Sequence, residues 1–144
     1  MRLSAEEKAV VEKLKQRDAE VRQHEQAHLS AGGGLVRGGA SYSYQTGPDG
    51  KKYAIGGEVQ IDISPESEPR ATMTKMQQVR RAALAPSDPS SQDRAVAALA
   101  SKIEAEASAE LREQTSDELK TAAGSNVSPQ AKKALNAYRK ANEL

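Results

Sequence analysis

The sequence holds two histidines, His24 and His28, and both fall within the run His24-Glu25-Gln26-Ala27-His28. Side chains four apart on a helix lie one above the other on a single face, so two imidazoles at this spacing can reach one ion. Zinc accepts neutral imidazole nitrogen at about 2.0–2.1 Å in near-tetrahedral geometry. Glu25 stands on the adjacent flank. In an HExxH helix this carboxylate stays off the metal and serves as general base toward the attacking water. The residues therefore point to Zn2+ held by His24 and His28, with Glu25 catalytic. Gln26 and Ala27 are unspecific. The bland alternative is a pair of core or surface histidines continuing an apolar stripe. Against it stand a predicted helix around the motif and a carboxylate-bearing strand within forty residues.

A hydrolytic zinc site uses three protein ligands and one water. The chain has no third histidine and no cysteine, so the third ligand is expected to be a carboxylate. Positions 31 and 34 are Ala and Gly, which removes the extended motif that would add a histidine there. Glu58 is the favoured third ligand and Asp62 the second choice, with Glu66, Glu68 or a downstream helix carboxylate behind them. Glu58 and Asp62 share a strand face but stand about 13 Å apart if extended, too far to bind one ion together. Gly56-Gly57, just before Glu58, suggests a bulge or a close backbone approach. Tyr42, Tyr44 and Tyr53 are candidate oxyanion donors, and cross-strand pairing explains them at least as well. The glycines at 32–34 and 38–39 lack the rest of a phosphate-binding motif.

These residues need elements to position them. Residues 4–30 read as one helix, opened by a Ser4/Glu7 capping box, striped by Val10, Leu14 and Val21, and closed by Gly32-Gly33-Gly34. Residues 40–63 read as a β-hairpin about Gly47-Pro48-Asp49-Gly50. In its return strand, Tyr53, Ile55, Val59, Ile61 and Ile63 are expected on one face, and Ala54, Gly56, Glu58, Gln60 and Asp62 on the other. A helix over 70–84 is expected to turn Lys75, Arg80 and Arg81 outward. A long Ala/Glu-rich helix over 89–114 follows, with Asp88 as N-cap, Pro89 at the first helical position, and a stripe of Val96, Leu99 and Ile103. A short helix over 129–142 ends the chain. The class is α+β: a long N-terminal helix bearing the HExxH motif, a short antiparallel sheet, then two or three helices. The metal-site domain is expected over 1–115, with a helical or partly disordered extension over 116–144.

Composition narrows the class further. Hydrophobic residues make up 37% of 144, with no Trp or Phe, so the core is expected to be small. The 21 basic and 20 acidic residues give a net charge of +1, which provides no field for steering nucleic acid. Without cysteine there is no disulfide and no thiolate site. No apolar run reaches the roughly 18–20 residues of a membrane span, and no signal segment is visible, so a cytoplasmic location is expected.

Several separated stretches resemble one family. They are Val21–Leu29, Gly38–Tyr42, Tyr44–Gly50, Tyr53–Val59 with Ile61-Asp62, Gln78–Pro86, and Ser91–Ala98. In this order they are similar to the SprA-related family, a bacterial group described as metalloproteases from its HExxH motif. The resemblance covers roughly 5–115. It implies that His24 and His28 bind zinc and that Glu25 is catalytic. It leaves the third ligand open, although the Gly-Gly-Glu-Val match at 56–59 keeps Glu58 first. Many members have a long variable region ahead of this segment, so the chain is expected to be part of a longer protein. The expected function is a zinc-dependent peptidase acting on a peptide or protein. The alternatives are a non-catalytic metal-binding or interaction module, with helix-mediated partnering or self-association, and a zinc hydrolase of a non-peptide amide bond.

Overall fold

The computed structural model describes residues 2–123 and 129–142, without the side chains of 129, 131 and 132. The elements in order are α1 (Ala5–Gly32), β1 (Val36–Thr46), β2 (Lys52–Ile61), α2 (Pro69–Ala83), α3 (Ser91–Ala123) and α4 (Pro129–Ala141), with a 3-10 turn at Gly33–Leu35 between α1 and β1. The α+β class is as expected.

Helix α1 starts where the capping box places it. Ser4 Oγ accepts the Glu7 N–H and Glu7 Oε1 accepts the Ser4 N–H, both at 3.0 Å. It ends at Gly33, whose φ of +51° favours glycine and whose N–H reaches the Leu29 carbonyl. Along its inner face Val11 and Leu14 pack with Tyr53 of β2, and Leu3 and Ile55 cover them. Val10, expected in the stripe, is 45% exposed, and Val11 takes its place.

β1 and β2 pair antiparallel from Val36↔Ile61 to Thr46↔Lys52. Two irregularities bend the hairpin. Gly38 and Gly39, both at φ +74°, bulge out of β1, and Ile55 is extra in β2 between the pairs Ser43↔Gly56 and Tyr44↔Ala54. This second bulge overturns the expected two-face alternation, because neighbouring Tyr53 and Ala54 are both buried. Helix α1 fastens the bulge: Asp18 Oδ1 accepts the Ala54 N–H at 2.7 Å, and Arg17 Nε donates to the Ile55 carbonyl at 3.2 Å.

A second cluster joins α2 to α3 through Met76, Val79 and Ala100, with Leu35, Ile61, Ile63, Val96 and Ile103 around it. The buried face of α3 is Ala97, Ala100 and Ala107, small residues that let the two helices approach closely, while Leu99 is 47% exposed. Two expectations for α2 are corrected. Lys75 is buried, and its ammonium donates to Asp62 Oδ2 (3.0 Å), the Ser64 carbonyl (2.6 Å) and Glu66 Oε1 (3.1 Å). Arg80 pairs with Glu104 at 2.6 Å. A buried ammonium needs this many acceptors to replace its hydration. Helix α3 also runs beyond 114 to Ala123, since no glycine or proline interrupts 91–123. No helix among the described residues is long and apolar enough to cross a membrane.

Candidate metal centre

One helical turn separates His24 and His28, and their rings meet edge to face with centroids 4.9 Å apart. The two Nε2 atoms stand 3.3 Å apart. Asp93 of α3 closes the triangle, with Oδ2 3.1 Å from His24 Nε2 and Oδ1 3.2 Å from His28 Nε2. The three residues form a group whose donor atoms converge closely enough to hold a metal ion. The dimensions support this use. Two ligands at 2.0–2.1 Å from a tetrahedral ion are about 3.3 Å apart, and each of the three contacts is close to that length, the two from Asp93 being made by its different oxygens.

Hydrogen bonding fixes how the donors face each other. His28 is buried, and its Nδ1 donates to the Ala82 carbonyl at 2.8 Å. A neutral His28 therefore turns its Nε2 lone pair toward the trio. There it meets a carboxylate oxygen and a second imidazole nitrogen. The His24 N–H can bridge these acceptors when it sits on Nε2, and a bound cation can take its place. The backbone carbonyl on Nδ1 is the kind of partner that orients metal-bound histidines.

The structure of α3 explains Asp93. Its first turn is capped by Ser90, not by Asp88. Ser90 Oγ accepts the Asp93 N–H at 3.0 Å, and Asp93 Oδ2 accepts the Ser90 N–H at 2.9 Å. The Ser90 carbonyl accepts the Arg94 N–H, the first bond of the helix. Asp93 thus closes a capping box and faces the histidines with the same carboxylate. Burial pushes its pKa up, but the two Ser90 hydrogen bonds and the neighbouring histidines outweigh this and hold it below the usual carboxylate value.

Glu25 sits beside the trio. It is 3% exposed, and its Oε2 is buried without a hydrogen-bond partner among the described residues. Burial raises its pKa; the histidine charges oppose this, and Asp93 and Glu58 reinforce it. Gly57 makes room for it, since a Cβ there would come within 3.0 Å of Glu25 Cγ. A cleft of about 800 Å3 opens over His24 and Glu25, between α1, the Gly56-Gly57 backbone of β2 and the segment from Ala85 to Ser90.

Glu58, favoured from the sequence as third ligand, stands outside the trio. It is exposed on β2, near enough for its charge to act on Glu25. Asp93 occupies the position expected of it, because the bulge at Ile55 and the packing of α3 against α2 bring the helix terminus, not the strand, over the histidines. Asp62 is committed elsewhere, to Lys75, to Arg37 at 3.0 Å and to Ser64. Glu66 faces Lys75, and Glu68 precedes α2 on the surface. No tyrosine lines the cleft: Tyr53 donates to Asp49, and Tyr42 lies beneath the Arg22 guanidinium at 5.0 Å.

Sequence reasoning reached Asp93 only as an unnamed downstream helix carboxylate, and it missed the Ala82 carbonyl. Asp93 had a signal, the Ser90-x-x-Asp93 spacing ahead of a helix inside a stretch that already resembled the family. The carbonyl had none. The chain belongs to the SprA-related family, whose match covers residues 2–133 and so extends past the 5–115 expected from the motifs. No match to the chain was found among curated proteins or among solved structures.

Proposed function

We propose that this member of the SprA-related family is a zinc-dependent peptidase in which His24, His28 and Asp93 hold the ion and Glu25 is the general base. The observation that supports it best is the convergence of two imidazole nitrogens and the Asp93 carboxylate, with contacts of 3.1, 3.2 and 3.3 Å, beside a buried carboxylate oxygen without a partner among the described residues. Among the described residues the group has three donors, which leaves a tetrahedral ion one position for water. A purely structural zinc site is closed by four protein ligands. When bound, zinc would supply Lewis acidity, lowering the pKa of water to about 7 and stabilising negative charge that develops on the attacked carbonyl oxygen.

The remaining chemistry falls to the chain's own residues. Glu25, which lines the cleft and has an unpartnered Oε2, takes the proton from the attacking water and returns it to the departing amine. Its raised pKa suits both halves of that transfer. The Ala82 carbonyl keeps His28 in one tautomer, and Ser90 keeps Asp93 in place. The backbone at Gly56-Gly57 borders the cleft, and among the described residues β2 pairs with no strand beyond β1. An extended peptide can lie along such an edge.

The test is to load the protein with Zn2+, confirm one ion per chain, and offer a broad peptide library. Cleavage lost in Glu25→Gln with zinc retained is the expected result. Zinc bound at unit stoichiometry with no cleavage from pH 5 to 9 would refute the peptidase reading for this chain.

A further inference from the structure

The cleft over His24 and Glu25 is unevenly charged. On its α1 side Glu20 stands four residues before His24, about 6 Å along the helix axis. On the opposite side the segment from Ala85 to Ser90 presents Asp88. Both carboxylates are exposed. Glu20 is touched only by the Gln16 amide, at 3.4 Å, and Asp88 has no hydrogen-bond or ion-pair partner among the described residues. Glu58 adds a third exposed carboxylate next to Gly57. The cleft's one arginine, Arg17, lies further out, seven residues or about 10 Å from His24, and its Nε is engaged by the Ile55 carbonyl. It makes no ion pair with either acid.

A second observation concerns the floor. Glu25 lines this cleft and is 3% exposed, and its Oε2 is buried without a hydrogen-bond donor among the described residues. A buried acceptor without a donor, on a side chain that borders a cleft, calls for a donor from outside the chain. The lining side chains also include no aromatic residue and, apart from Val21, no bulky aliphatic one. The cleft therefore has little to offer a large apolar side chain.

We propose that the cleft selects peptide segments with a lysine or arginine side chain beside the bond presented to the metal, and that Glu20 and Asp88 are the specificity-determining residues on its two walls. The inference rests on the peptidase reading. A long cationic side chain lying along α1 spans the offset between His24 and Glu20, with Asp88 across from it. Exposed charges of this kind act mainly on selectivity and encounter, and salt screens them.

The experiment measures binding of three fluorescent peptides to zinc-loaded Glu25→Gln protein. The peptides are identical except for Lys, Gln or Glu at one central position. The Lys peptide is expected to bind about tenfold more tightly than the Glu peptide, from two exposed pairs of modest strength each. Raising the salt should shrink this gap. The double variant Glu20→Lys, Asp88→Lys should invert the order while retaining zinc. Equal affinities, a preference for the Glu peptide, or an order unchanged in the double variant would overturn the proposal. Wild-type cleavage of the same peptides separates it from the reading beneath it. Cleavage without charge preference refutes the selectivity alone. Selective binding with no cleavage refutes the peptidase reading alone.

Discussion

Replacing Asp93 by alanine removes one of three converging donors and leaves His24 and His28 facing each other across 3.3 Å. Loss of a group that merely orients a ligand costs metal affinity about 10–100-fold. Loss of the ligand itself should exceed that, so zinc affinity is expected to fall by more than about 100-fold, or about 2.7 kcal/mol. Metal-free protein should lose less. The substitution removes the Ser90 N–H bond to the Asp93 carboxylate at the start of α3, worth about 1 kcal/mol, and keeps the bond from the backbone N–H of residue 93 to Ser90 Oγ. The two effects separate in one assay, thermal unfolding with and without zinc. At a free zinc concentration 100 times the dissociation constant, wild-type protein gains about 2.7 kcal/mol, a shift of about 10 °C for a chain of this size. Asp93→Ala should melt a few degrees lower without zinc and show almost no further shift at the same zinc concentration. Glu58→Ala, which removes an exposed side chain outside the trio, should keep the full shift. The reasoning is refuted if Asp93→Ala keeps the zinc shift, or if Glu58→Ala loses it.

Glu25→Gln should bind zinc with near wild-type affinity and lose about 10²–10⁴-fold in turnover, the usual contribution of a positioned acid–base group; a parallel loss of zinc would instead make Glu25 a ligand. Gly57→Ala should place its Cβ about 3.0 Å from both Glu25 Cγ and Tyr42 Cδ1 and 3.1 Å from the Ser41 carbonyl. Because a backbone atom is among these neighbours, we expect a destabilisation of about 1–3 kcal/mol in chemical unfolding and a fall in turnover as Glu25 is displaced; unchanged stability would contradict the packing at this strand. The Asp62 carboxyl is held well below the usual range by hydrogen bonds from Ser64 and then from Lys75. A folded pKa lower than the unfolded one, about 3.9, contributes stability that is full above that value and lost as the pH falls below it. Stability of Asp62→Asn should therefore fall less steeply than wild type between pH 5 and 2.5; equal slopes in urea unfolding would show that Asp62 is not responsible.

Local features were legible in the sequence wherever chemistry and geometry share a few neighbouring residues. The Ser4/Glu7 cap, the His24–His28 face and the Gly47–Gly50 turn all follow from adjacent side chains. The bulge at Ile55 was not, since the glycines at 56 and 57 mark a weak point without fixing which residue is extruded. It turns Ala54 inward, and the strand's expected alternation fails at that residue. Lys75 looked like a surface charge because its acceptors follow from the path of the chain after β2. The third donor was hidden for the same reason on a larger scale. Asp93 lies 69 residues from His24. Only the packing of Met76 and Val79 on Ala100 brings the start of α3 to the metal face of α1. With Asp88 read as the N-cap and the helix begun at 89, Asp93 fell inside the helix with no role of its own, and its place beside the histidines stayed out of view.

The most direct measurement is a crystal structure of the zinc-loaded protein, with the ion located by anomalous scattering at the zinc edge. The expected result is one ion bonded to His24 Nε2, His28 Nε2 and an Asp93 oxygen at about 2.0–2.2 Å, with a non-protein ligand in the open position and Glu25 unbonded beside it. An ion held by Glu58 in place of Asp93, or one closed off by four protein ligands, would contradict the account.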